Sequence, residues 1–173
     1  MARRAVSRKR NGTFVLRLDD DEVELLTSLA GQLDPMLDDP SADPALRRLF
    51  PPAHPDDLLA EAAWQIEQGG GLRDSRRAAL AALSRPAGEA MSEDELVQWM
   101  NGVNSLRLVL AERLGVAGDG SEDDALNEAL AAAGGEADAE AEVARRFLGA
   151  WRLYELLGWM VDGAIRALGD PTD

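Results

Sequence analysis

The residues best suited to chemistry sit at positions 49–57, LFPPAHPDD, where the only histidine of the chain stands beside two carboxylates. His54, oriented by Asp56 or Asp57, has the makings of a general base. Such a pair also needs a substrate pocket and an oxyanion or metal partner. No other part of the sequence supplies a recognisable set. The alternative is structural: Pro51, Pro52 and Pro55 stiffen an extended connector, Asp56 caps the next helix, and Leu49 and Phe50 anchor the connector in the core. We read the stretch as that connector.

The remaining carboxylates are abundant without forming a constellation. The runs Asp19-Asp20-Asp21, Asp38-Asp39 and Glu122-Asp123-Asp124 fall at expected helix starts or in loops. Negative charge at a helix start meets the positive end of the helix dipole. Residues 117–124, AGDGSEDD, lack the ordered ligand spacing of a calcium loop and read as a solvated acidic loop. No phosphate loop, dinucleotide-binding glycine pattern or nucleophile elbow occurs. The chain has no cysteine, which removes disulfides, thiolate nucleophiles and cysteine zinc sites together. We therefore assign no catalytic, cofactor-binding or metal residue and expect a protein that is not an enzyme and uses no cofactor.

Two groups of residues are candidates for binding. Residues 1–17 carry Arg3, Arg4, Arg8, Lys9, Arg10 and Arg17 without one acid, whereas the rest of the chain has 12 basic against 32 acidic residues. The chain as a whole, at −14, opposes broad nucleic-acid binding. The cluster Arg3, Arg4, Arg8, Lys9 and Arg10 is thus open to three readings: a DNA-contacting ribbon, a patch pairing with the protein's own acidic helices, or a dimerising edge. The acidic body favours the latter two. The second group is Asn101, Asn104 and Arg107, which at three-residue steps share one drifting helix face. They could meet a partner peptide or ligand, or hydrogen-bond neighbouring helices with Arg107 paired to an acid.

The elements that must position these groups follow from periodicity. RRAVSRKRNGTFVLRL reads as a hairpin about Asn11-Gly12, a pair that suits a type I′ turn. Phe14, Leu16 and Leu18 then line one strand face. A lone two-stranded ribbon is marginal, so this one should lean on helices or a partner. Asp19 or Asp20 can cap a helix to about Leu33 carrying Val23, Leu26, Ala30 and Leu33. DPMLDDPSADP breaks the pattern, with a short turn around residues 45–49. A helix capped by Asp56 should end at Gly69-Gly70-Gly71, burying Leu59, Ala63 and Ile66 with Trp64 on the flank. Residues 72–85 form the next, with Leu72, Ala79, Leu80 and Leu83 apolar.

Ser92-Glu93-Asp94-Glu95 is a capping box. It opens a stripe of Leu96, Trp99, Val103, Leu106, Leu110 and Leu114, closed by Gly115. Ser121 can cap a short helix to Ala133. The last helix, about 138–168, keeps Val143, Phe147, Ala150, Tyr154, Leu157, Val161, Ala164 and Leu168 in 4-3-4-3 spacing. Leu148, Trp151 and Ile165 widen the stripe, and Gly149, Gly158 and Gly163 suggest close helix crossings. Residues 1–173 should form one mainly α domain: a basic β-hairpin over 1–18 and a helical body over 19–173. This is a helical bundle with a long C-terminal helix and a short N-terminal β-hairpin. No apolar run approaches the roughly 18 residues of a membrane span and no signal-peptide core is present, so a cytoplasmic protein with no membrane contact is expected.

Four segments, FVLRLDDDEVELLTSL, RLFPPAHPDD, WMNGVNSLRLVLAERLGV and YELLGWMVDGAIRAL, together resemble an actinobacterial family long described as a domain of unknown function and now named for the oxidative-stress regulator AosR. RLFPPAHPDD and NSLRLVLAERLGV are the most specific parts. The resemblance implies a soluble, mainly helical, non-enzymatic protein tied to transcriptional regulation under oxidative stress. The sensing associated with that name uses a cysteine pair, so it does not carry over to this cysteine-free chain. Two functional classes follow. One is a transcription-associated regulator acting through DNA, with the hairpin as its contact, or through another transcription protein. The other is an adaptor or scaffold that binds only protein or itself, its acidic body steering a basic partner.

Overall fold

The computed structural model describes residues 3–116, 122–132 and 137–169. The chain runs β1 (Val6–Arg8), β2 (Phe14–Leu16), α1 (Asp20–Leu33), α2 (Leu58–Ala81), β3 (Ala90–Met91), α3 (Glu93–Arg113), α4 (Glu122–Ala132) and α5 (Ala137–Gly169), with 3₁₀ turns at Asp34–Asp38, Pro44–Leu46 and Ala82–Ser84. It is mainly helical, with a long C-terminal helix and a small antiparallel sheet at the N-terminus. Ala5, Val6, Phe14 and Leu16 share one buried cluster with Leu26, Trp99, Leu157 and Met160. Burial of the ribbon against the helices supplies what two short strands lack alone.

The sheet is ordered β1-β2-β3, with Val6 opposite Leu16, Arg8 opposite Phe14, and Phe14 opposite Met91. The two-residue strand β3 carries no sequence signal of its own. Val15 is buried along with Phe14 and Leu16, so the expected one-sided strand is covered on both faces. The turn also differs from expectation. Gly12 has φ of 83°, while Asn11 is not at positive φ, which a type I′ turn requires. The Gly12 amide donates to the Lys9 carbonyl and the Lys9 amide to the Thr13 carbonyl. The result is a three-residue loop closed by a left-handed glycine, and the Asn11 side chain accepts from the Thr13 amide and hydroxyl instead.

Asp19 caps α1 in a reciprocal box with Glu22, and Ser92 caps α3 likewise with Glu95. α2 departs furthest from its expected form. Its cap is Asp57, not Asp56, and the helix runs unbroken through Gly69-Gly70-Gly71 to Ala81. Glycine disfavours helix by up to about 1 kcal/mol per residue, but packing overrides a penalty of that size. Here the second half of α2 is fixed by the buried Ala79 and Leu80 and by Arg77 pairing with Asp34 and Asp38. The first half is fixed at its start by the Asp57 cap, so the glycines continue a helix already set on both sides.

On α5 the buried positions are Phe147, Leu157, Met160, Ala164 and Ala167, a stripe turned slightly from the expected one. Leu148 and Ile165 are exposed rather than part of it. Gly163 does mark a close approach, but to the ribbon: a Cβ there would lie 2.9 Å from Ala5 Cβ. Gly149 faces open space. α4 starts at Glu122, with Asp123 and Asp124 in its first turn; the proposed Ser121 cap, most of the acidic loop and the Ala133 end lie outside the described residues. α4 packs on α5 around a second small cluster of Ala111, Leu114, Val116, Ala125 and Phe147.

Candidate functional site

The connector that carries His54 is held by its backbone. The His54 amide donates to Glu61 Oε2 at 2.8 Å, and Glu61 Oε1 accepts from Gln65 Nε2 at 2.7 Å. These bonds, the Gln65 one foremost, hold the Glu61 carboxyl below the usual carboxylate range. His54, Asp56 and Asp57 are all exposed. Asp57 spends one oxygen on the amides of Leu59 and Ala60 as the helix cap. Glu61, one turn into α2, is the residue that ties the connector down; its spacing from His54 gave no recognisable signal.

The basic ribbon divides in two. Arg3 folds back along the surface of the body: it pairs with Glu22 and with Asp19 at 3.4 Å at the start of α1, and stacks 5.6 Å above the Trp159 ring of α5. Glu22 raises its pKa further above the ordinary range. Arg17 Nε donates to Ser7 Oγ at 2.9 Å across the hairpin, and Arg8 lies 5.3 Å over Phe14. Arg3 thus follows the internal-pairing reading. Lys9 and Arg10 stand exposed at the hairpin tip, and Arg4 is exposed nearby.

Arg107 of α3 turns onto α5, where Nη2 donates to the Tyr154 hydroxyl at 2.8 Å and the guanidinium lies 4.7 Å over the same ring. A phenol, not one of the many acids, is its partner. Gly158, 3.6 Å from Arg107 Nε for an added Cβ, leaves room for it. Asn101 is exposed, and Asn104 is half-buried like Arg107.

Two segments distant in sequence meet in an ion-pair junction that spacing could not reveal. Arg47 and Arg48 both pair with Glu112, the latter at 2.8 Å, and Arg48 Nη2 donates to the Val116 carbonyl at 2.9 Å. Arg113 pairs with Asp43 at 3.1 Å. The backbone amide of Ala45, then Arg113, holds the Asp43 carboxyl below its usual range. RLFPPAHPDD and NSLRLVLAERLGV are thereby joined.

The least expected feature is the first half of α2. Leu59, Ala63 and Ile66 have the spacing of a buried stripe, yet all three are exposed, Leu59 and Ile66 at 85% each, and the neighbouring Leu58 is 86% exposed. Periodicity identified the face but not what lies opposite it. Beside it opens a cleft of about 780 Å³ between α2 and the 38–50 segment, lined by Ile66, Gly69 and Arg73 on one side and Asp39, Leu46 and Phe50 on the other. Among the described residues no group of three or more His, Cys, Asp or Glu is placed to hold a metal ion, and no helix is long and apolar enough to cross a membrane.

Residues 3–168 match the family model described as "Domain of unknown function (DUF2017)", and the chain belongs to that family. Comparison with curated proteins and with solved structures gave no match.

Proposed function

We propose that this member of the DUF2017 family is a non-enzymatic, cytoplasmic regulatory protein that works by binding another protein, within the transcriptional response to oxidative stress that the AosR resemblance implies. The observation that carries the reading is the exposed face of Leu58, Leu59 and Ile66 on α2. Burying one such side chain is worth about 1.5–3 kcal/mol, so three on one helix turn toward a partner rather than toward water. With no cysteine in the chain, contact rather than thiol exchange is its means of regulation. The test is a strain carrying Leu59→Asp and Ile66→Asp, exposed positions whose change should leave the melting temperature intact. Its transcriptional response to peroxide is expected to be lost; an unaltered response overturns the reading.

A second reading, direct DNA contact, is favoured by the exposed Lys9 and Arg10 at the hairpin tip. It uses fewer charges than the sequence offers, since Arg3 is engaged with Glu22 and Asp19.

A further inference from the structure

We infer that the cleft beside α2 receives a basic amphipathic helix of a partner protein, its apolar stripe covering Leu59 and Ile66 and its lysines or arginines facing the carboxylates in and just before the first half of α2. This rests on the protein-binding reading and names the chemistry of the partner. Shape is the first argument. Residues 58–68 extend about 16 Å at 1.5 Å per residue, three turns of helix whose apolar side continues into an open cleft of about 780 Å³. Recognition of a helix in a groove uses apolar anchors at such i, i+3, i+4 and i+7 positions.

Charge selects the occupant. From residue 51 to residue 72 the chain carries Asp56, Asp57, Glu61 and Glu67 and no lysine or arginine. Asp39 stands exposed across the cleft. Of the two arginines that line the cleft, Arg47 is paired with Glu112, and Arg73 sits at the far end beyond the glycines. A polyanion would be repelled along this face. A second copy would bring the same four carboxylates and a net charge of −14 to the contact, so self-association is opposed by the same field that attracts a basic helix.

The experiment uses the full chain and a labelled synthetic 18-residue helical peptide of leucine, alanine, lysine and arginine, read by fluorescence anisotropy. A peptide of the same apolar stripe with glutamate for every cation is the control. The basic peptide is expected to bind, the acidic one to bind at least about tenfold more weakly, and Leu59→Asp with Ile66→Asp to weaken the basic peptide at least about tenfold. Equal binding of the two peptides, or equal binding to parent and variant, overturns the inference. So does sedimentation showing a dimer of the parent that the variant loses, because a second copy is then the occupant. If the variant strain loses its stress response while the parent ignores the basic peptide, the protein-binding reading stands and the basic helix is wrong. If that strain responds normally while the peptide result holds, the regulatory reading fails and the groove chemistry stands.

Discussion

Gly102 of α3 passes so close beneath Ala79 of α2 that a Cβ on the glycine would lie 2.3 Å from the Ala79 carbonyl oxygen and 3.0 Å from its carbon. The obstacle is backbone, and Leu83 Cδ2 closes the side at 3.0 Å, so neither neighbour can move aside without separating the helices. Gly102→Ala is expected to destabilise by about 1–3 kcal/mol despite its better helix propensity. At about 2–4 °C per kcal/mol for a chain of this size, the melting temperature should fall measurably. An unchanged melting temperature would show that the crossing is looser.

Gly70 sets the opposite case. It lies inside α2, at a negative φ, with nothing within 4 Å of an added Cβ. Gly70→Ala should therefore raise stability by about 0.5–1 kcal/mol through helix propensity alone. A decrease would mean that the helix bends at the glycines in solution and that the bend is needed.

These two glycines explain how far the sequence could be read. Signals confined to one turn were legible: Ser92 and Glu95 are three residues apart, and their reciprocal bonds form as expected. Long stripes were legible too, as on α3, where Leu96, Trp99 and Val103 are all buried. What failed depends on the second partner of a contact. Gly69-Gly70-Gly71 looked like a stop because local propensity cannot register Arg77 held by Asp34 and Asp38. Gly102, with no local peculiarity, makes the tightest crossing among the described glycines. Leu59 and Ile66 had the spacing of a buried face, and spacing is silent on whether another element covers it. Arg107 was grouped by its step from Asn104, whereas Tyr154, 47 residues away, decides where it points.

The α3 cap makes stability depend on pH in a defined direction. Glu95 accepts from the Ser92 amide and pairs with Arg85, and these contacts, the amide first, depress its folded pKa. A depressed folded pKa gives stability that is present above the unfolded value and lost as pH falls through the folded one. Glu95→Gln should lower the melting temperature at pH 7; the gap to the parent should begin to narrow as pH falls below the ordinary glutamate value of about 4.3 and close only once the pH passes below the depressed folded pKa. A gap that stays constant from neutral to acid pH would remove the carboxylate from the account.

His54→Ala should leave the stress response intact and change stability by less than about 0.5 kcal/mol, because its side chain is exposed and its amide bond to Glu61 survives the change. Asp57→Ala, by contrast, removes a cap from two amides and should cost about 1 kcal/mol. A stable His54→Ala protein that no longer regulates would return the histidine to the list of functional groups.

The hairpin tip separates the protein-binding reading from the DNA reading. Each phosphate neutralised by a cation adds about 0.9 to the magnitude of the logarithmic salt slope. Lys9 and Arg10 are exposed at the turn, whereas Arg3 is committed to Glu22, Asp19 and Trp159. If the chain binds duplex DNA, Lys9→Ala with Arg10→Ala should flatten the slope by up to about 2 units, since at most two phosphate contacts disappear. Arg3→Ala should leave the slope alone and lower the melting temperature instead, because it removes a link among the ribbon, α1 and α5. The helical body carries far more acid than base and should repel DNA elsewhere, so no second patch compensates. A double variant with the parent's slope would take the tip out of any DNA contact. A parent that fails to bind even at about 50 mM salt, where phosphate contacts are strongest, would leave protein contact through α2 as the working interaction.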